Sequence, residues 1–347
     1  MASAFLFVCI NLHLMTLESI STKSAPSTYH TLGAAIIVKN AEHTLGNTLR
    51  SLRGVVDQVV VVDTGSSDES ARIAIRAGAE VYFHSWTDDF SAARNLALGY
   101  MRTDRVLVID ADEYLDAASR AEITSLPNDE TVGGYRVRIV SGLSETTDES
   151  VEHRYPRIFR RRHDIRFRGV IHEQISDSIH DAGLQIRDTN IVVHHDGYRR
   201  VDQAKLDRNI KLLNAQQENE PNDVWTAYHR GMTAFSAGDH TSTMNIMQPL
   251  LSSPLLATDQ REFAMLRYAQ SALAMNQQEK VFKVLELPMS DMQREGLRRF
   301  VIGAAHTSNH DFAKAIHFFE LAMETSSTLI DRTMISRYIQ SLRSATN

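Results

Sequence analysis

Short apolar runs alternate with segments of helical periodicity between residues 34 and 109, and this alternation constrains the fold more than any other feature. An apolar run begins at Ala34, and Leu45, Leu49 and Leu52 then recur at helical spacing. Runs rich in β-branched residues are typical of strands buried on both faces, which belong to parallel sheets covered by helices. Repeated strand–helix–strand units with right-handed crossovers therefore predict an α/β fold, with a mostly parallel sheet and helices on both faces.

The predicted elements follow one another closely along the chain. Gly78 lies where the residue after a helix is expected, because glycine readily adopts the left-handed conformation that ends many helices. Beyond residue 109 the pattern predicts one further helix and a strand with two-residue alternation. The predicted strands are 34–38, 59–62, 80–83, 106–109 and 135–140, and the predicted helices are 45–56, 70–78, 91–101 and 115–126.

Polar residues follow each of the first four predicted strands. The carboxyl ends of parallel strands meet at the edge of the sheet where ligands bind, so these residues should converge. The loop after the second strand lacks the three spaced glycines of a dinucleotide fingerprint and the Lys-Ser/Thr pair of a P-loop, which argues against both classes. The polar residues are Lys39 and Asn40, then Asp63, Ser66 and Asp68, then His84, and finally Asp110 and Asp112.

Asp110 and Asp112 stand one residue apart at the end of a buried strand. Two carboxylates in this arrangement are able to place oxygens on one divalent cation, such as Mn²⁺ or Mg²⁺, and such a cation holds a diphosphate. The alternative interpretation is an acidic turn after a strand, because aspartate is common in turns.

Histidines and a glutamate close two later β-like runs. Glu173 lies beside His172 and is our candidate for a general base, while His195 is our candidate for a further metal ligand. The small residues Gly169 and Gly197 near them leave room for a substrate. Histidines at strand ends are also common as structural residues, and for His172 we favour that alternative.

Seven arginines lie between residues 154 and 168, with aromatic residues among them. Basic and aromatic interleaving is a feature of single-strand nucleic-acid binders. The alternative is a pair of solvated strands, with one or two arginines facing an anionic substrate. The formal net charge of −6 favours the second interpretation, so we expect no nucleic-acid partner.

Helical periodicity continues from residue 199 to the end of the chain. Gly238, Asn276 and His310 interrupt it, 38 and 34 residues apart. That spacing is close to the period of about 34 residues of tetratricopeptide repeats. We predict an all-α, tetratricopeptide-like repeat domain at 201–347 whose aromatic and methionine stripes form its core, with a surface available to a protein partner.

The chain of 347 residues is long enough for two domains, which we place at 31–200 and 201–347. We expect residues 1–30 to be an extension outside the fold, because their apolar run is too short and too polar to span a bilayer and follows no positive residue. Cys9 is the single cysteine, which excludes an intramolecular disulfide and fits a reducing compartment. The expected location is cytoplasmic, with peripheral membrane association left open.

Six sequence blocks have a distinctive order. They read IIVKNAE (36–42), VVDTGSSD (61–68), WTDDFSAARN (86–95), IDADE (109–113), GVIHEQ (169–174) and HHDGY (194–198). In this order they resemble the family 2 glycosyltransferases, in particular the bacterial branch with a tetratricopeptide-like extension that includes S-glycosyltransferases of bacteriocins. Ala41 departs from the family, which often has an acidic residue there, and this puts a role for Glu42 in doubt.

The resemblance implies a GT-A fold, which is Rossmann-like, and a nucleoside diphosphate sugar as donor, most simply a UDP-sugar. It also implies inversion at the anomeric carbon and a divalent metal at the motif that spans 110–112. Asp63 would contact the base or ribose, and Arg94 would lie near the phosphates; the alternative for Arg94 is a surface ion pair with Asp88 or Asp89. The donor-binding set is Lys39, Asn40, Ser66 and Asp68 together with Asp63, Arg94 and Asp110.

These expectations combine into one reaction. A metal held by Asp110, Asp112 and His195 binds the donor diphosphate, and Glu173 deprotonates an acceptor that is a glycan, a lipid or a peptide. The competing hypothesis is a non-catalytic scaffold that binds nucleotide sugars or peptides through the helical repeats.

Overall fold

The computed structural model describes residues 30–142, 150–195 and 203–346. Residues 1–29, which make up nearly all of the predicted extension, lie outside the described residues. The same is true of residues 196–202, where the predicted boundary between the two domains falls. Within the described ranges a sheet with its helices comes first and a purely helical part follows.

One mixed sheet forms the first part. The three parallel pairings that involve β1 to β4 agree with the predicted βαβ units. The second half of the sheet differs, because β7 runs antiparallel to both β4 and β6, and β5 runs antiparallel to β8. The strands are β1 (Leu32–Val38), β2 (Gln58–Asp63), β3 (Glu80–Phe83), β4 (Arg105–Val108), β5 (Glu113–Leu115), β6 (Val132–Gly142), β7 (Ser150–Arg160) and β8 (Gln185–His195), in the order β3-β2-β1-β4-β7-β6-β8-β5.

Helices cover both faces of this sheet, as predicted. They are α1 (Leu45–Ser51), α2 (Ser70–Arg76), α3 (Phe90–Tyr100), α4 (Arg120–Thr124) and α5 (Ser176–Asp181). Alternate residues of β1 belong to different cores: Ala34 and Ile36 pack in the core that contains α1, whereas Ala35 packs in the core that contains α3. The two-sided burial explains why β1 reads as an uninterrupted apolar run.

The predicted helix at 115–126 is only partly present. Its first residue, Leu115, belongs to β5, a 3₁₀ turn follows at Ala117–Ser119, and the helix is limited to α4. The reason is a pairing that is distant in sequence, because Glu113 lies opposite His195 on β8. A strand partner 82 residues away leaves no trace in local periodicity.

Helices alone make up the second part. They are α6 (Gln203–Asn219), α7 (Val224–Ser236), α8 (His240–Met247), α9 (Thr258–Ala274), α10 (Gln278–Val284), α11 (Met292–Ser308), α12 (Phe312–Met323) and α13 (Arg332–Thr346). Gly238, Asn276 and His310 each connect two successive helices with positive φ, at 74°, 55° and 57°. These three turns confirm the predicted tetratricopeptide-like repeat. None of the helices described here is long and apolar enough to cross a bilayer.

Candidate active site

Three neighbouring strands end at the same edge of the sheet. β1 lies between β2 and β4 and is parallel to both, so the segments that follow the three strands are adjacent. The segments begin at Lys39, at Asp63 and at Ile109. This arrangement confirms that the polar residues predicted to converge do lie along one edge, which is where ligands bind in such sheets.

Asp63 is almost completely buried at the end of β2. Its Oδ1 atom accepts hydrogen bonds from the backbone N–H groups of Gly65, at 2.8 Å, and Ser66, at 2.7 Å. Its Oδ2 atom is buried and has no hydrogen-bond partner among the described residues. A buried oxygen that lacks a hydrogen-bond partner destabilises the protein by about 1–3 kcal/mol. A ligand group that donates a hydrogen bond to Asp63 Oδ2 would remove this cost.

Three of the predicted donor-binding residues join the first two loops to each other. Asn40 Oδ1 accepts from the backbone N–H of Ser67 at 2.8 Å, and Ser66 Oγ accepts from the backbone N–H of Asn40 at 3.0 Å. Asp68 Oδ2 accepts from the backbone N–H of Glu42 at 3.0 Å. Lys39 is exposed beside them. The donor-binding roles of these residues remain predictions, since the contacts seen are between loops.

Arg94 is buried and lies between two carboxylates of the site. Its Nη2 atom donates to Asp110 Oδ1 at 2.8 Å, and its Nε atom donates to Glu173 Oε1. The alternative of a surface ion pair with Asp88 or Asp89 is wrong. Asp88 pairs with Lys211 instead, and Asp89 caps α3 by accepting from the backbone N–H of Ala92.

The segment after Phe167 is held by the start of α3. Asn95 donates from Nδ2 to the carbonyl oxygen of Phe167 and accepts from its N–H, both at 2.9 Å. Ser91 Oγ donates to the carbonyl oxygen of Gly169 at 2.5 Å. The polar residues Ser91 and Asn95 of the block 86–95 thus have a structural role, because they hold the loop that carries Glu173.

Arg157 is a site residue that the sequence did not single out among the seven arginines. From β7 its Nη2 atom donates to Glu113 Oε1 at 2.9 Å and lies 3.3 Å from Asp110 Oδ2. The sequence indicated only that one or two arginines of this segment face an anion. The pairing of β7 with β4 selects Arg157, because it brings this strand beside the one that leads to Asp110.

The environment shifts the pKa values of the half-buried Asp110 and the buried Glu113 in opposite directions. Burial alone would raise the pKa of Asp110, but the nearby charges of Arg94 and Arg157 outweigh it and hold the pKa below the ordinary value. Burial raises the pKa of Glu113 to about 7, with Arg157 opposing the shift and the charge of Asp110 adding to it. Asp110 is therefore a fixed anion between two guanidinium groups.

The predicted metal ligands do not all face one point. His195 Nε2 lies 3.3 Å from Asp112 Oδ2, whereas both oxygens of Asp110 face arginines. Burial lowers the pKa of His195, but the hydrogen bond to Asp112 and the negative charges of Asp112, Glu113 and Asp110 together outweigh it, so the net shift of the pKa is upward. Among the residues that the structure describes, no three His, Cys, Asp or Glu side chains form a metal-binding group. A carboxylate and an imidazole still suit Mn²⁺, provided that substrate oxygens and water complete the coordination.

A cleft of about 430 Å³ opens beside these residues. Its wall includes Asp110, Arg157, Glu173 and His195 from the sheet part, and Trp225 and His229 from α7 complete it. The sequence placed Trp225 on a core stripe of the repeats. Trp225 and His229 are four residues apart on one face of α7. They face the cleft because α7 packs against the sheet part, and the sequence alone does not show this packing.

Residues 34–179 match the family model described as glycosyl transferase family 2. The chain contains a family 2 glycosyltransferase domain. The matched range covers the three strand ends, Arg94, Arg157 and Glu173, and it stops before His195 and the helical part.

Two curated relatives are similar over a larger share of the chain than the family model. The first is a TPR repeat-containing protein of Synechococcus elongatus, 35% identical over 215 residues, which are 57% of this chain and 50% of that protein. The second is the SPbeta prophage-derived glycosyltransferase SunS of Bacillus subtilis, 23% identical over 262 residues, which are 73% of this chain and 61% of that protein. The chain thus spans about half the length of the first relative and three fifths of the second.

Two solved structures are similar in part. TarS (residues 1–349) of S. aureus is 14% identical with a TM-score of 0.39, covering 85% of this chain and 90% of that one. Glucosyl-3-phosphoglycerate synthase of Mycobacterium tuberculosis, in complex with Mn²⁺ and UDP-glucose, is 17% identical with a TM-score of 0.39, covering 53% of this chain and 77% of that one.

Proposed function

We propose that this protein transfers a sugar from a nucleoside diphosphate sugar, most simply a UDP-sugar, to a nucleophile on a glycan, a lipid or a peptide. The observation that carries the proposal is the position of Arg94, which is buried in the cleft between Asp110 and Glu173. The family 2 domain and the relative named as a glycosyltransferase support the same activity.

Asp63 and the two arginines are suited to hold the donor. Asp63 Oδ2 needs a hydrogen-bond donor, and a base imide or a ribose hydroxyl supplies one. Arg94 Nη1 is likewise buried without a hydrogen-bond partner in the part of the chain that the structure describes. A guanidinium nitrogen in this position suits a phosphate oxygen of the donor.

Asp112 and His195 would hold a divalent cation, Mn²⁺ or Mg²⁺, whose coordination is completed by the diphosphate and water. When bound, the cation supplies positive charge that stabilises the departing diphosphate. Asp110 then acts chiefly on Arg94 and Arg157, because its two oxygens are already paired with them. This division of roles gives each of the two aspartates a separate function.

Glu173 is the proposed general base. Its carboxylate lines the cleft and is mostly buried, and the hydrogen bond from Arg94 to Oε1 leaves it further capacity to accept an acceptor proton. Attack from the side opposite the diphosphate would invert the anomeric carbon. The acceptor nucleophile and the departing diphosphate would therefore lie on opposite sides of the anomeric carbon.

A thermal-shift screen tests the proposal directly. UDP-glucose, UDP-N-acetylglucosamine and GDP-mannose are each added with and without Mn²⁺ or Mg²⁺, followed by an assay for release of the nucleoside diphosphate. We expect one donor to raise the Tm in the presence of metal and to be slowly hydrolysed. Binding without any turnover would favour the non-catalytic scaffold, and the absence of both binding and turnover would reject the proposal.

Asp112→Asn tests the metal assignment. We expect it to abolish most of the Mn²⁺-dependent gain in Tm with the donor and to leave the Tm of the free protein unchanged, because Asp112 is partly exposed after the strand end. Asp188→Asn is the matched control, since it removes an exposed carboxylate from β8. Donor binding that keeps its full dependence on Mn²⁺ in Asp112→Asn would contradict the assignment.

A further inference from the structure

Helix α7 of the repeat part contacts the loop that carries Glu173. The indole N–H of Trp225 donates to the carbonyl oxygen of His172 at 3.0 Å. The ring of His229 stacks on the ring of His172, with centroids 3.8 Å apart and planes 13° apart. Trp225 in turn packs edge-on against His229 at 4.3 Å. One hydrogen bond and one ring stack therefore hold His172 from the repeat side.

His172 needs this support because its backbone is in the left-handed region, with φ of 52°. Such a conformation is unfavourable in a residue other than glycine and persists only where the surroundings hold it. Gly169, three residues earlier, also has positive φ, at 92°. The loop therefore has positive φ at two positions; glycine adopts it readily at the first, whereas the second, at His172, is unfavourable and coincides with the contact from α7.

Helix α6 holds the same loop at a second point. Gln216 Oε1 accepts from the backbone N–H of Val170 at 2.9 Å, and Gln216 Nε2 donates to Thr226 Oγ1 on α7 at 2.7 Å. Ile171 is buried in a small apolar cluster with Leu212 and Leu213 of α6. The repeat part thus contacts three consecutive residues of the loop directly before Glu173.

We infer that Trp225 and His229 are positioning residues for sugar transfer: they fix the backbone of His172 and thereby the Glu173 carboxylate against Arg94. The first repeat helices then belong to the catalytic unit, and the repeats are more than a platform for a partner. The inference rests on the proposed function, in which Glu173 receives the acceptor proton.

Four substitutions in the full chain separate the contacts. Trp225→Phe keeps an aromatic ring and removes the N–H donor, and His229→Ala removes the stack. His229→Phe restores a stacking ring and is the rescue variant. His306→Ala is the matched control, because His306 on α11 also makes ring contacts, with Phe282 and Phe318, away from the cleft.

The first readout is hydrolysis of the UDP-sugars in the presence of Mn²⁺. A small misplacement of a reacting group costs on the order of 10- to 100-fold in rate, so we expect a loss of that size in kcat for Trp225→Phe and His229→Ala. The KM for the donor should stay unchanged, and His229→Phe should recover most of the rate. In a Glu173→Gln background the same substitutions should change the rate by less than about 2-fold, because residues that act through one group are not additive.

The second readout needs no catalysis. Hydrogen exchange of the peptide that covers residues 168–175 should become faster in His229→Ala and Trp225→Phe and stay as in the parent in His306→Ala. Unchanged exchange and unchanged kcat in both α7 variants would overturn the inference. Rates that fall equally with and without Glu173 would also overturn it, since the effect would then not pass through that carboxylate. Faster exchange in a protein that hydrolyses none of the donors would instead reject the proposed function.

Discussion

Arg94 connects the two carboxylates to which the sequence assigned different roles. It is buried with Asp110 on one side and Glu173 on the other. A buried arginine is retained only with paired anions, because desolvation of its charge is costly. Binding of the anionic donor would therefore change the charge balance of the cleft. Arg94 is the group that contacts both carboxylates and is placed to contact the donor as well.

Glu173→Gln tests the general base, because glutamine keeps the shape of the side chain and cannot take up the proton. A general base contributes about 10²–10⁴-fold to rate, so we expect transfer to a hydroxyl to fall by that factor with donor affinity retained. A smaller loss is expected for a thiol, whose pKa of about 8.5 leaves it partly ionised near neutral pH.

The control for that experiment is Glu130→Gln, at an exposed position before β6. Donor affinity and turnover, measured separately, decide the outcome. A variant that binds the donor weakly and turns over normally would make Glu173 a binding residue. The base would then be sought at Glu113, whose pKa is already raised by burial.

His229 should make stability depend on pH. Burial lowers its pKa well below the ordinary value, and burial also lowers the pKa of His172. The unfolded chain takes up these protons below about pH 6.5 whereas the folded chain resists them, so stability should fall as the pH drops below that value. His229→Phe should reduce this dependence, which urea unfolding at pH 7.5 and pH 5.5 measures. Equal losses in parent and variant would show that other groups are responsible.

At the scale of the elements, the packing of the repeat helices requires that neighbouring helices approach each other closely at glycines. A Cβ added at Gly303 of α11 would lie 2.7 Å from Phe319 Cδ1 and 3.3 Å from the carbonyl oxygen of Ala315, both on α12. Neither neighbour is a flexible chain end. The interface between α11 and α12 is thus set by the absence of a side chain at this position.

Gly303→Ala should therefore destabilise the protein, by about 1–3 kcal/mol, as insertions into packed interiors do. Gly99→Ala is the opposite case, since a Cβ there meets nothing within 4 Å in the last turn of α3. It should stabilise by roughly 0.5–1 kcal/mol, because alanine restricts the unfolded chain. Thermal unfolding of the two variants measures both effects, and a neutral Gly303→Ala would mean that α12 is able to shift.

For the molecule as a whole, the contact between the sheet part and α6–α7 determines whether the parts are separable. The apolar cluster of Ile171, Leu212 and Leu213 spans the contact, with Trp86 and Phe90 packed against it. If α6 did not pack on the sheet part, a chain ending near Arg200 would bind the donor and fail only in transfer. The structure contains that packing.

A chain that ends at Arg200 should consequently lose stability as well as transfer, because truncation exposes Ile171 and removes the support of His172. A chain that ends at Gly238 keeps α6 and α7 and should hold the Glu173 loop in place. Donor-induced Tm shifts of the two truncated chains, compared with the full chain, test this. A donor response of full size in the shorter chain would show that the repeats are not needed for the loop.

Strands β1 to β4 and β6, helices α1 to α3 and the positions of the three turns in the repeats were predictable from residue order. Each of these features depends on residues that are close in sequence. Gly238, Asn276 and His310 interrupt helical periodicity locally, and the apolar run of β1 indicates burial on two faces. The predicted helix at 115–126 failed for the opposite reason, since β5 exists only because β8 lies beside it.

The residue types of the site were legible in the sequence because strand ends in a parallel sheet must meet at one edge, which brings Asp63 and Asp110 together without further information. The tertiary structure decided three further points. It selected the arginine that pairs with Asp110 and Glu113, it turned the oxygens of Asp110 toward arginines and Oδ2 of Asp112 toward His195, and it brought Trp225 to His172. The contact of Arg157 with Glu113 joins residues 44 positions apart, and that of Trp225 with His172 joins residues 53 positions apart. The roles of Asp110 and Asp112 depend on the direction of their side chains. Local periodicity in the sequence shows neither kind of information.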